Sequence, residues 1–219
     1  FNRELSEVSA ENFITDIFHD KLDIKYMVVG DDLRFGHERR GDFTLLQRMG
    51  EQLGFQVSDT RTLMEEGDRV SSTRIRKALQ EADFALAEEL LGRPYSITGK
   101  VVYGQQLGRT LNVPTANLQL HRAKAALSGV YTVEAKLAGK TYNGVANIGT
   151  RPTINDGLTA RLEVHLLDFS GDIYGKTLQV VFRSKLRDEQ KFASLDALKS
   201  AIHSDIAAAR QFFAMAEIQ

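Results

Sequence analysis

At Gly92-Arg-Pro94 the spacing of apolar residues changes, and this divides the chain into two kinds of structure. Upstream, apolar residues recur at helical spacing between short apolar runs. Ser9 caps a helix reaching Phe18, in which Phe13, Ile17 and Phe18 repeat. Ile24 to Val29, ending in Gly-Asp-Asp, reads as a buried parallel strand. Phe43 to Leu53 is helical with Gly54 as its stop, and Phe55 to Ser58 is a further strand. Helices follow over Thr73–Gln80, capped by Ser71 or Ser72, and Phe84–Leu91. Strands alternating with helices predict an α/β layer. Downstream the period becomes two. Val101 to Tyr103 reads as a strand, and Val130–Leu137, Arg161–Leu167 and Thr177–Phe182 alternate. Leu137-Ala-Gly-Lys140 is a short hairpin connection, so this half is an antiparallel sheet or small barrel. Ser194 to Phe213 closes the chain as an amphipathic helix with Leu195, Leu198, Ile202 and Ile206 on one stripe. The domain boundary is expected between Leu91 and Ile97, giving domains 1–91 and 95–219.

The densest chemical signal runs from Gly99 to Leu118. Gly104 and Gly108 permit tight turns and close approach of a ligand to the backbone. Successive backbone N–H groups in such a loop cradle phosphate oxygens, and Arg109 with Thr110 adds a charge and a hydroxyl. Thr115 and Asn117 lie two apart, so in an extended segment they share a face. Their oxygens are hard ligands suited to Mg²⁺ shared with nucleotide phosphates. No Gly-Lys-Ser/Thr follows the glycines, which excludes a Walker A loop. On spacing alone, an ordinary glycine-rich hairpin and turn fits the segment as well.

Three further stretches accompany it: Asn147-Ile-Gly-Thr-Arg-Pro-Thr153, Leu162-Glu-Val-His-Leu-Leu-Asp-Phe169 and Leu186-Arg-Asp-Glu-Gln-Lys-Phe192. Together they closely resemble the riboflavin kinase family. Upstream, Val29-Gly-Asp-Asp-Leu-Arg-Phe-Gly36 and Val70-Ser-Ser-Thr-Arg-Ile-Arg76 resemble the later half of the FMN adenylyltransferase module in bifunctional bacterial FAD synthetases. The two resemblances cover nearly the whole chain in the family's order. They imply a partial Rossmann-like nucleotidyltransferase module, then a small antiparallel Greek-key-type β-barrel with a C-terminal helix.

The resemblance also implies a chemistry. ATP would phosphorylate riboflavin to FMN, with Glu163 accepting the proton of the ribityl terminal hydroxyl. Thr115 and Asn117 would hold Mg²⁺, and Gly104, Gly108, Arg109 and Thr110 would line the phosphate loop. Arg187 and Phe192 fall in the segment that closes over flavin; read from their types alone, they fit a solvated turn and a helix anchor equally. His165 shares the face of Glu163, and a partly buried strand histidine is its plainer reading. In the amino-terminal half, Ser71, Ser72, Thr73 and Arg76 stand at a helix start that attracts phosphate, where plain capping is the simpler reading. Asp31 and Asp32 resemble the family's FMN-side segment. Two departures stand out. Asn112-Val-Pro114 replaces the usual Gly-Phe-Pro, and asparagine tolerates the left-handed backbone that such a turn needs. No two of His19, His37, His121, His165 and His203 form the family's early His-x-Gly-His, and the chain begins at Phe1. The expectation is a chain lacking the first part of the adenylyltransferase module, with FAD formation impaired.

Composition narrows the alternatives. A net charge of −1 gives no electrostatic case for nucleic acid, which disfavours a nucleic-acid-binding barrel. No apolar run approaches the roughly 20 residues that span a bilayer. Zero cysteines exclude disulfides and thiolate chemistry and fit a cytoplasmic protein. The remaining competitor is a protein that binds flavin or nucleotide without turnover.

Overall fold

The computed structural model describes all residues except 1, 31, 61–62, 66, 105–107, 109–110, 121–124, 154–156 and 217–219, and leaves out the side chains of 150–153 and 157–159. The chain forms two compact units, Phe1–Val70 and Ser71–Gln219.

In the first unit, α1 (Arg3–Ser6) precedes α2 (Ala10–Asn12), whose Ser9 hydroxyl accepts from Asn12 N–H at 3.1 Å. From Phe13 to Lys21 the helix widens to π winding. Such winding brings residues five apart together, and the rings of Phe13 and Phe18 meet edge to face at 5.1 Å. Strand β1 (Tyr26–Gly30) pairs in parallel with β2 (Gln56–Thr60). Between them lies α3 (Phe43–Leu53), capped by Asp42 and ended by left-handed Gly54. A two-residue ladder joins β3 (Met64–Glu65) to β4 (Asp68–Arg69). Ile14, Leu46 and Phe55 form the buried core. β1 was expected to be buried, but only one face is covered: Tyr26 and Val28 are 56% and 55% exposed. Its side chains alternate, so Met27 and Val29 pack on the core while Tyr26 and Val28 face outward.

The second unit opens with α4 (Ser72–Gln80) and α5 (Phe84–Leu91). The change of period at Gly92 marks the start of the strands but not the edge of the compact unit. Ala78, Leu79 and Ala87 share a buried cluster with barrel residues, and Phe84 meets Tyr131 edge to face at 5.9 Å.

Six antiparallel strands close a barrel: β5 (Ser96–Val102), β6 (Ala116–Gln119), β7 (Gly129–Leu137), β8 (Lys140–Thr153), β9 (Gly157–Leu166) and β10 (Thr177–Arg187). Around the barrel the order is β10-β5-β6-β9-β8-β7, and β10 returns beside β7, which is Greek-key connectivity. Inward residues such as Leu118, Ile148, Leu162, Val164 and Val180 are almost wholly buried. Each contributes about 1.5–3 kcal/mol relative to exposure. The β7–β8 turn places Ala138 and Gly139 at φ 47° and 81°, matching a two-residue turn with both central residues left-handed.

The last helix, α6 (Leu195–Ala216), lies on the barrel's outer wall. There Ile206 and Ala209 pack with Val130, Val145, Leu167 and Leu186. Leu195, expected on the buried stripe, is 61% exposed at the helix's first position.

Candidate active site

Because the barrel interior takes alternate residues, the intervening ones face outward. Register aligns several of these in one row across the strands. Asn117 on β6 stands opposite Glu163 on β9, and Glu163 opposite Asn147 on β8. The row continues through Val130 on β7 to Arg187 on β10. Directly opposed side chains in antiparallel strands have Cβ atoms about 4.5–5.5 Å apart. A carboxylate therefore stands with an amide on either side. The side chains of Glu163 and Asn147 form no hydrogen bond or ion pair among the described residues.

The glycine-rich loop packs against one end of this row. A Cβ at Gly104 would overlap the Asn117 amide, and one at Gly108 would overlap the Val113 carbonyl and lie 3.4 Å from Thr115 Oγ1. Close approach of backbone thus requires glycine at 108, whereas at 104 a methyl would have to displace the Asn117 side chain. Asn112 adopts φ 58°, the left-handed turn expected of it. His165 Nδ1 lies 2.8 Å from the Pro114 carbonyl and must donate to it, which ties the Thr115 segment to β9. Arg109 and Thr110 lie outside the described residues.

A cavity of about 340 Å³ opens over the row. Glu163, Asn147, His165, Thr115 and Gly108 line its polar end; Val130, Val145, Leu198, Ile202 and Ile206 line its apolar side. Asn117 is beside Glu163 in register but under the glycine loop rather than on this wall. Arg187, Glu189, Gln190 and Phe192 form another wall. Arg187 is not a free cation. Its Nε and Nη2 donate to Asp205 of α6 at 2.9 and 2.8 Å, and its Nη1 donates to the Asp188 carbonyl. Its guanidinium carbon sits 5.5 Å from the Phe192 ring centre. The pair Arg187–Asp205 thereby fastens the helix over the cavity. A second, smaller cavity of about 180 Å³ shares Thr115 and is lined by Pro114, Phe169, Asp172 and Tyr174.

Among the described residues no cluster of three or more His, Cys, Asp or Glu could hold a metal. A cation here would take the hydroxyl of Thr115, the amide oxygen of Asn117 and ligand oxygens, a hard set that fits Mg²⁺.

The amino-terminal candidates are placed elsewhere. Ser71 is spent as a helix cap, accepting from Arg74 N–H at 3.2 Å. Ser72, Thr73 and Arg76 are exposed, and none lines either cavity. Asp32 pairs with Arg69 at 3.1 Å in the first unit, and Asp31 lies outside the described residues. Asn147, Asp205 and Glu189 also line the cavity, and no local sequence signal marks them. Asn147 opens the stretch Asn147–Thr153, yet only the register of β8 against β9 sets it beside Glu163.

Barrel, row and glycine loop together define a flavokinase-type domain. Residues 91–213 match the family described as riboflavin kinase, and residues 1–74 match FAD synthetase. Over 210 residues the chain is 53% identical to the bifunctional riboflavin kinase/FMN adenylyltransferase of Pseudomonas fluorescens, covering 96% of this chain and 68% of that protein. It is 50% identical over 216 residues to the protein of the same name from Escherichia coli K12, covering 98% and 69%. A crystal structure described as a macrolide-efflux protein from Streptococcus pneumoniae aligns with a TM-score of 0.66 and 32% identity, over 96% of this chain and 67% of that one. The chain belongs to the bifunctional riboflavin kinase/FMN adenylyltransferase family.

Proposed function

We propose that the barrel unit transfers the γ-phosphoryl group of ATP to the terminal hydroxyl of riboflavin, giving FMN and ADP. The observation that carries this reading is Glu163, unpartnered among the described residues and set in one row with Asn117 at the mouth of a half-apolar cavity. The flavin ring lies on Val130, Val145, Ile202 and Ile206, with Phe192 at its edge. The ribityl chain then points toward Glu163. As the alcohol oxygen bonds to the γ-phosphorus, Glu163 accepts the alcohol proton and the terminal bridging bond of ATP breaks, its electron pair leaving on ADP. For this Glu163 needs hydrogen-bond reach to the alcohol oxygen. Thr115 and Asn117 would hold Mg²⁺, which would neutralise charge on the phosphate oxygens. Gly104 and Gly108 let the triphosphate approach the backbone, and the smaller cavity with its Phe169 and Tyr174 rings takes the adenosine end.

FMN adenylylation to FAD belongs to the other module. Residues 1–74, which match FAD synthetase, are the part of this chain that serves that step. The setting is the cytoplasm, with small molecules as partners and neither nucleic acid nor membrane. Product chromatography tests the reading: riboflavin and ATP should yield FMN and ADP. A protein that only binds flavin would release no riboflavin-dependent ADP, and that result would overturn the proposal.

A further inference from the structure

The polar and apolar parts of the cavity meet at one side chain. Along the outward row, Glu163 is followed by Asn147 and then by Val130, which is 4% exposed beneath α6. Ile148 and Ala146 on either side of Asn147 are fully buried in the barrel, so the amide projects away from the core and into the cavity wall. It spends neither its N–H groups nor its oxygen on any described residue. A ligand with its ring over Val130 and its reacting hydroxyl at Glu163 must lay the intervening polyol chain across Asn147. An amide is suited to that position, because it donates to one hydroxyl and accepts from another.

We infer that Asn147 is a specificity-determining residue: it hydrogen-bonds a hydroxyl of the flavin side chain next to the one phosphorylated, and so selects a polyol over a simple alcohol. This rests on the kinase reading of the same site. Beyond that reading it assigns a role to a residue on a different strand from Glu163.

The test compares riboflavin with its 4′-deoxy analogue, which lacks the hydroxyl adjacent to the phosphorylated carbon, using the whole 219-residue chain. Wild-type enzyme should prefer riboflavin by about 3- to 10-fold in kcat/KM, the range of one neutral hydrogen bond. Asn147→Ala should lose that factor on riboflavin and nothing further on the analogue, and Asn147→Ser should restore part of it. Unchanged Mg·ATP affinity and melting temperature exclude a general disturbance. Equal losses on both substrates, or a wild type indifferent to the missing hydroxyl, would overturn the assignment. Glu163→Gln separates this from the underlying reading. If that variant phosphorylates riboflavin normally, the site itself is misread. If it is inactive while Asn147→Ala does not discriminate, only the role of Asn147 falls.

Discussion

Replacing Asp205 by alanine probes the clasp between the barrel and its last helix. The Asp205 side chain is 10% exposed and that of Arg187 24%. Two donors of Arg187 reach the carboxylate at 2.8 and 2.9 Å, the side-on geometry of a strong pair. Breaking a fully buried pair costs about 3–5 kcal/mol, most of it from the charge left without a partner. Arg187 retains the Asp188 carbonyl and a quarter of its exposure, so the cost here should be about 2–3 kcal/mol. For a unit spanning residues 71–219 this lowers the melting temperature by about 4–12 °C. Near-UV circular dichroism of the Asp205→Ala protein measures it. The same change frees the wall that carries Phe192, so KM for riboflavin should rise more than KM for ATP. Arg187→Ala combined with Asp205→Ala should destabilise less than the two single changes summed, since no charge is then stranded. A single variant melting within about 1 °C of wild type would refute the clasp.

Asn117→Ala should weaken Mg·ATP more than riboflavin, with poor rescue by added Mg²⁺; titration of both ligands checks this, and collapse of flavin affinity alone would contradict it. Gly108→Ala drives a methyl into the Val113 backbone carbonyl, so it should cost about 1–3 kcal/mol in melting experiments and raise KM for ATP. At Gly149 the nearest atoms to an added methyl are the movable end of Glu189, so Gly149→Ala should stay within about 0.5 kcal/mol of wild type. Burial raises the Tyr131 phenol above its ordinary pKa, so its neutral form stabilises the fold below pH about 10, and that contribution is lost as pH rises through the higher folded value. Melting curves from pH 9 to 12 should therefore fall more steeply for wild type than for Tyr131→Phe.

Local features were legible in the sequence, and pairings across long separations were not. The Ala-Gly turn at 138–139, the left-handed Asn112 and the caps of α3 and α4 follow from what each residue's backbone or side chain can do within a few positions. Thr115 and Asn117 flank buried Ala116, as alternation requires. Nothing local, however, fixes which residue of β8 faces Glu163, so Asn147 was found only through register. Arg187 and Asp205 are 18 positions apart, and their pairing depends on α6 docking against the barrel. Period marks where strands begin, whereas compactness depends on where α4 and α5 bury Ala78, Leu79 and Ala87. Strand β1 looked buried because a run of apolar residues does not reveal how many faces are covered.

The central claim is that Glu163 serves phosphoryl transfer to the flavin alcohol, and single-turnover kinetics of Glu163→Gln test it most directly. Glutamine keeps the size and polarity of the side chain but cannot take the alcohol proton. With riboflavin and Mg·ATP both saturating, FMN formation should fall about 10²- to 10⁴-fold while the affinities for both ligands hold. FMN formed at the wild-type rate would contradict the claim and remove Glu163 from the reaction.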